Sequence, residues 1–482
     1  MAMPGRNTLV IMADEHSRKV LGCYGNELVR TPNLDRLAAE GAVFESAYCN
    51  SPICVPSRAS FITGRYAHEI GSWDNAFPYE GRPEGWAHRI TAVGRICDSI
   101  GKLHFRKPGG NGFRNEIMPL HVVKGRGDVQ GLLRRNPPQR AAIRRLAEDA
   151  GEGASSYHQY DMDIRDAACR WIEEHRNEDE PWCLFVSFVC PHFPLRAPAE
   201  FFRLYDPAAL PIPALRGPGH EPAHPVIRRL REIQNYDDYF RDDDHIRVAL
   251  AAYYGMVTFV DRNVGMVLET LDAAGLGAST NVIYTSDHGD NLGTRNLWSK
   301  CTMYEEAAGV PLIIRSPDVP GGVRVKTPVS LVDGYRTILD SVGAEADSSV
   351  CGSSLLDIAR GAEPDRSVFC EYHAIGSVTG IFMVRFGDYK YIYHEGYPAQ
   401  LFYLAADPAE ADDLAADPRY ADVCAVGERL LRQVCDPRCV TKMAFQAQEA
   451  RIAELGGEEA ILAGEAFGYT PPPERAGFGG AG

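Results

Sequence analysis

The chain has 482 residues, 45% of them hydrophobic and 24% charged, which is enough apolar material for a large core and argues against a disordered chain. Its net charge of −15 and pI near 5.4 argue against a nucleic-acid partner, since gripping a phosphate backbone needs clustered Lys and Arg; an anionic ligand must be drawn in by local positive charge. Thirteen cysteines without Cys-x-x-Cys pairs, no signal-peptide pattern and no membrane-length apolar run imply a reducing, cytoplasmic setting and no membrane association.

Strand and helix patterns alternate through the first three-quarters. Residues 9–12 read as a buried strand, and 32–40 as a short helix closed by Gly41. Val43, Phe44 and Tyr48 are strand-like, and a helix is expected over 58–63. Residues 160–175 have helical spacing, and 182–189 (WCLFVSFV) form an apolar run of strand length. Residues 207–244, rich in Pro, Arg and Asp, read as a surface insertion near a substrate entrance. A long amphipathic helix is expected over 247–274, with buried strands at 281–285 and 310–314. From 380 to 403 the aromatics alternate between glycine turns, as in an antiparallel meander, and helices follow near 420–433 and 444–455. The Pro- and Gly-rich residues 470–482 read as a frayed tail or an arm for a neighbouring subunit. This pattern predicts an α/β fold: a large mixed, mostly parallel sheet sandwiched by helices over 1–375, and a smaller C-terminal α+β domain with an antiparallel sheet over 376–482.

The chemistry-bearing residues follow predicted strands. Asp14 and Glu15 stand at the carboxyl end of the first strand, where open α/β sheets place ligands, and paired carboxylates there suit a hard divalent cation. Tyr284-Thr285-Ser286-Asp287-His288-Gly289-Asp290 follows another buried strand and reaches the same sheet edge. Imidazole is a softer ligand than an amide oxygen, so His288 suits Mn²⁺ or Zn²⁺ better than Ca²⁺. In Gly101-Lys102-Leu103-His104, two polar residues at alternate positions share one strand face.

The stretch Cys54-Val55-Pro56-Ser57-Arg58, running on to Thr63-Gly64-Arg65, resembles the signature of the type I sulfatases of the alkaline-phosphatase superfamily. Gly101-Lys102-x-His104, Pro191-His192-x-Pro194, Trp298-x-Lys300 with Tyr304-Glu305-Glu306, and the Asp287 segment resemble further segments of that family in the same order, from about residue 7 to about 415. The resemblance implies an alkaline-phosphatase-like sheet and a formylglycine made from Cys54 by a maturation enzyme. Its hydrate is the nucleophile. The metal ion, Ca²⁺ or Mn²⁺, is held by Asp14, Glu15, Cys54, Asp287 and His288, with Glu15 standing where relatives usually carry Asp or Gln. Arg58 anchors the formylglycine. Lys102 pairs with the formylglycine and the transferring oxyanion, and His104 is the base that releases sulfate. His192 binds the sulfate or its leaving oxygen, Lys300 stabilises that oxygen, and Asn75 is a polar substrate contact. The implied activity is hydrolysis of small aryl or alkyl sulfates, the enzyme working as a homo-oligomer, a dimer or tetramer. A phosphonate monoester or phosphodiester hydrolase and a choline sulfatase are the alternatives, the latter with Trp73, Tyr79, Trp86 and Trp298 available for an aromatic cage. A binding protein that has lost catalysis would lack the nucleophile, a lysine or a metal ligand, and here only Glu15 departs from the pattern.

Overall fold

The computed structural model describes residues 5–134, 136–138, 140–362, 365–464 and 468–474. Eight strands build the main sheet: β1 (Asn7–Asp14), β2 (Ala42–Phe44), β3 (Cys97–Lys102), β4 (Asn115–Leu120), β5 (Cys183–Pro191), β6 (Thr280–Ser286), β7 (Leu312–Arg315) and β8 (Val323–Val325). Their spatial order is β8-β2-β7-β6-β1-β5-β3-β4. The central run β6-β1-β5-β3-β4 is parallel, and β7 is antiparallel to both its neighbours, so the sheet is mixed but mostly parallel.

The middle strands are apolar on both faces because helices cover both. In β1, Val10 and Met12 enter one core cluster while Leu9, Ile11 and Ala13 enter the other, the period-2 signature of a strand buried on both sides. Ser156–Glu174 and the 31-residue helix Asp243–Ala273 contribute to one core; Cys54–Thr63 and Asp333–Val342 contribute to the other. Each fully buried Val, Leu or Ile adds about 1.5–3 kcal/mol, so the sheet edge that holds the site is rigid.

The segment 207–244 is more ordered than its sequence suggests. It contains the helix Pro225–Ile233, whose Val226, Ile227 and Leu230 are buried in the main core. Val226, Ile227, Leu230 and Ile233 stand at i, i+1, i+4 and i+7, a helical stripe only nine residues long and flanked by stretches rich in Pro, Arg and Asp.

A four-stranded antiparallel meander follows: β9 (Ser367–Tyr372), β10 (Ile381–Phe386), β11 (Tyr389–His394) and β12 (Gln400–Tyr403). Its first strand precedes residue 376. The helix Ala421–Val434 packs on it, and the helix Pro437–Glu454 crosses back to the large sheet's loops, where Gln448 donates to Asp74 Oδ2 (2.7 Å) and to the His373 carbonyl (2.9 Å). Residues 475–482 of the expected tail lie outside the described residues. Thr470 is buried at 7% exposure against its own chain's site, so the start of that segment is docked rather than frayed. Among the described residues no helix is long and apolar enough to cross a membrane.

Candidate active site

The site forms at the carboxyl ends of β6, β1, β5 and β3, which deliver Asp287, Asp14, His192 and Lys102 from four neighbouring strands. The helix Cys54–Thr63 points its first turn into that edge, and all ten of its residues are buried. It begins four residues earlier than its sequence pattern suggests. Pro56 is tolerated in a first turn, which has no intrahelical use for its missing N–H. The N-cap residue Ile53 offers no side-chain acceptor; Asn75 Oδ1 instead accepts from the Val55 N–H at 3.0 Å. Gly64, at φ 67°, closes the other end in the left-handed region that a side chain disfavours.

Arg58 organises the floor. Its Nε donates to Asp287 Oδ2 (2.8 Å), Nη2 to Asp14 Oδ2 (3.0 Å), and Nη1 to the Lys102 carbonyl and Ser187 Oγ (both 2.9 Å). One planar fork thus fixes two carboxylates, which a lysine could not do. Lys102 Nζ also pairs with Asp14 Oδ2. Burial works against the Asp14 carboxylate, but Lys102, His192, Arg58 and Lys300 hold its pKa well below the usual range.

Above this floor, donor atoms of Asp14, Cys54, Asp287 and His288 lie within 4.8 Å of one another, all buried. Cys54 Sγ is 3.2 Å from His288 Nε2 and 3.1 Å from Lys300 Nζ. The other nitrogen of His288 meets the Gly289 carbonyl at 3.0 Å, which fixes the ring and leaves Nε2 toward the cluster. Carboxylate oxygens, an imidazole and a sulfur or oxygen at position 54 fit a divalent cation of hard to borderline character. Burial, reinforced by Asp14, pushes the Cys54 thiol up to about 11. A thiol held protonated is a poor nucleophile, so the position is not tuned for thiolate chemistry.

Glu15 stands apart from that quartet. At φ 64° it turns its carboxylate to the opposite wall, where Oε1 accepts from Ser299 Oγ and Oε2 lies 3.3 Å from Lys300 Nζ and 3.4 Å from His192 Nε2. Burial raises its pKa to about 7 despite Lys300. Burial also works against the Lys300 ammonium, but Cys54, Glu15, Asp14 and Asp287 around it hold its pKa well above the ordinary value. His104 and His192 are driven well below 6.5, chiefly by burial and then by nearby lysine charge, so both rings are neutral near pH 7.

Lys102 and His104 both reach the site, but not by strand alternation. Lys102 ends β3 after a register shift against β4, and His104 lies beyond it at φ 56°. Between them and the sheet, Gly101 sits at φ 96°, where a Cβ would fall 2.3 Å from the Ser187 carbonyl oxygen.

The family model described as Sulfatase matches residues 6–344. The chain belongs to the sulfatase family. As a sulfatase it is a hydrolase of sulfuric esters. A second model, N-sulphoglucosamine sulphohydrolase, C-terminal, matches residues 293–436. The sulfatase is 31% identical to a choline-sulfatase of Rhizobium meliloti (strain 1021) over 416 residues, covering 83% of this chain and 81% of the relative. It is 30% identical to arylsulfatase K of Danio rerio over 474 residues, covering 93% and 87%. Its fold matches the crystal structure of a phosphonate monoester hydrolase of Agrobacterium radiobacter with a TM-score of 0.73 at 23% identity, covering 89% of this chain and 95% of that one.

The site residues read from the sequence of this sulfatase converge: Asp14, Cys54, Arg58, Asp287 and His288 on the floor and cluster, and Lys102, His104, His192, Lys300 and Asn75 on the pocket wall. Glu15 is not in the Asp14–Cys54–Asp287–His288 cluster but in a second one, with Asp14 and His192, whose donor atoms also lie within 4.8 Å of one another. The four aromatics offered for a cage do not line the pocket. Trp73 packs edge-on to His373, Tyr79 and Trp86 belong to the main core, and Trp298 stacks on Phe240. The pocket's aromatics are Phe193, Tyr157, Tyr236 and Tyr469, joined by the ion pair Asp128–Arg140. Phe193 lies inside Pro191-His192-x-Pro194; the others carry no local signature. Ser299 had one signal, its place between Trp298 and Lys300.

Proposed function

We propose that this sulfatase hydrolyses small aryl or alkyl sulfates, using a formylglycine produced from Cys54 by a maturation enzyme and one divalent cation, Ca²⁺ or Mn²⁺. The observation that carries this reading is the setting of Cys54: a buried side chain at a helix N-terminus, within contact of His288 and Lys300 and beside Asp14 and Asp287. Once Cys54 is converted, the aldehyde hydrate would supply the nucleophilic oxygen, and a bound cation would supply positive charge beside it.

The chain's own residues do the rest. Asp14, Asp287, His288 and position 54 would hold the cation, and Arg58 keeps the two carboxylates in register for it. Lys102, Lys300 and the neutral His192 place donors around a tetrahedral oxyanion, where positioning and electrostatic stabilisation dominate. Lys300, its pKa held high, sits where charge develops on the departing oxygen and can deliver a proton from Nζ. His104, neutral and buried, takes the proton whose removal releases sulfate. Asn75 holds the N-terminus of the nucleophile helix through Oδ1, which leaves its amide N–H₂ for the substrate.

A second reading, phosphonate monoester hydrolysis, is favoured by one observation: the imidazole of His288 in the metal quartet, which suits Mn²⁺. The test is kcat/KM for an aryl sulfate against an aryl phosphonate monoester, on metal-replete protein with the conversion at position 54 established by peptide mass. A preference for the sulfate is the expected outcome. A preference for the phosphonate would replace the first reading with the second.

A further inference from the structure

The C-terminal segment 468–474 brings a hydroxyl to the base. Thr470 Oγ1 lies 3.1 Å from His104 Nε2, and the Thr470 carbonyl accepts from Tyr157 OH at 2.7 Å. Tyr157 in turn packs edge-on to both His192 and Tyr469, so the segment is clamped against two site residues. Earlier in the chain, Ile461 is buried with Ala76, Leu132 and Leu133, which docks the helix before this segment. The opposite nitrogen of His104, Nδ1, is buried and has no hydrogen-bond partner.

A neutral imidazole carries its proton on one nitrogen and accepts on the other, and the partner of one fixes the role of the other. If Nε2 keeps its proton and donates a hydrogen bond to Thr470 Oγ1, the lone pair lies on Nδ1, the buried atom with no hydrogen-bond partner. A threonine hydroxyl can accept from Nε2–H or donate to Nε2, and the proton-accepting role asked of Nδ1 in sulfate release corresponds to the first.

We propose that Thr470 is a positioning residue of this sulfatase: its hydroxyl accepts from His104 Nε2–H and so holds His104 with Nδ1 free to receive the proton in the sulfate-release step. This rests on the reading of His104 as the base. In that step the proton leaves the remaining hydroxyl on the former Cys54 carbon and passes to Nδ1. The oxygen's electron pair forms the carbonyl, and sulfate departs with the electrons of the broken C–O bond; water then adds back to restore the hydrate. Losing the tautomer slows this half of the cycle and leaves alcohol release intact.

The experiment compares Thr470→Val, which keeps the shape and removes the hydroxyl, with Thr470→Ser, which keeps the hydroxyl and removes a methyl. For Thr470→Val, kcat should fall about tenfold or more with little change in KM, and a burst of alcohol stoichiometric with sites should precede the steady state. Thr470→Ser should stay within about twofold of wild type. A second readout needs no turnover: ¹⁵N imidazole spectra of protein carrying Cys54→Ala. His104 should show one tautomer, protonated at Nε2, which Thr470→Val turns into a mixture and Thr470→Ser preserves. An unchanged His104 signal and no burst in Thr470→Val, or Thr470→Ser as damaging as Thr470→Val, overturns the proposal. If His104→Ala itself shows no burst, the base assignment fails, while the imidazole spectra still report whether Thr470 holds the ring.

Discussion

Glu15 Oε2 lies 3.3 Å from Lys300 Nζ, a fully buried carboxylate facing a nearly buried lysine. Donor atoms of Glu15 group with Asp14 and His192, whereas the cation is proposed at the other cluster, Asp14, Cys54, Asp287 and His288. Glu15→Gln should retain wild-type metal stoichiometry by elemental analysis, whereas Asp287→Asn should lose most of it. The same Glu15→Gln variant should lose about tenfold in kcat, because Lys300 and His192 lose a shared anchor. A Glu15→Gln protein stripped of metal would place Glu15 among the ligands instead.

Lys300 gives a distinct kinetic signature. A proton donor matters most when the departing alcohol is a weak acid. Lys300→Ala should therefore reduce kcat/KM by about 10²–10⁴-fold for alkyl sulfates and far less for an activated aryl sulfate. A plot of rate against leaving-group pKa should steepen. Equal losses across the series would reduce Lys300 to a binding role.

The parts of this molecule that could be read from its sequence are those whose signal is local. The central strands carry continuous apolar runs because both their faces are buried, and the residues at or just past their ends, Asp14, Lys102, His192 and Asp287, reach one edge because parallel strands share a direction. The start of the nucleophile helix was hidden because its first turn is satisfied by Asn75, twenty residues downstream. The direction of Glu15 depends on a left-handed backbone and on Ser299, distant in sequence. The cage candidates Trp73, Tyr79, Trp86 and Trp298 were large aromatics whose faces proved to be needed for packing. Arg140 caps a helix, Tyr236 opens a short turn and Thr470 lies in coil, none of them in a motif, and only the folded chain brings them to the pocket.

Cys54→Ala separates chemistry from folding. The thiol is 1% exposed but small, so removing it should lower stability by no more than about 1–2 kcal/mol by urea titration. Turnover should fall below about one part in a thousand of wild type, since the nucleophile is gone. Near-normal turnover would remove Cys54 from the reaction.

Arg58 is a stability determinant as well as a site residue. Its guanidinium is 2% exposed and carries two carboxylates. Arg58→Ala leaves Asp14 and Asp287 facing each other without that charge, and should cost about 3–5 kcal/mol in chemical denaturation of the metal-free protein. Added metal should recover part of the loss by binding the folded state only. A variant as stable as wild type without metal would mean that Lys102 alone offsets the pair.

Glu371 provides a pH test away from the site. It accepts from the His68 backbone N–H (2.9 Å) and lies 2.8 Å from His68 Nδ1 and 2.9 Å from His373 Nε2, tying the short helix Ala67–Ile70 to β9. Burial alone would raise its pKa, but His68 and His373 hold it at about 2 instead of 4.5. A depressed carboxylate stabilises the fold above its unfolded pKa and loses that contribution as pH falls through the folded value. The drop corresponds to about 3 kcal/mol. Burial likewise works against the His68 imidazolium, but Glu371 raises its pKa, so its share is present below about 6.5 and fades as pH rises through the folded value. Glu371→Gln should therefore be most destabilising between about pH 4.5 and 6.5 and least near pH 2–3. Urea titrations of wild type and variant at pH 6 and pH 3 read this directly. A gap of the same size at both pH values would mean that the hydrogen bonds, and not the charge, hold the two segments together.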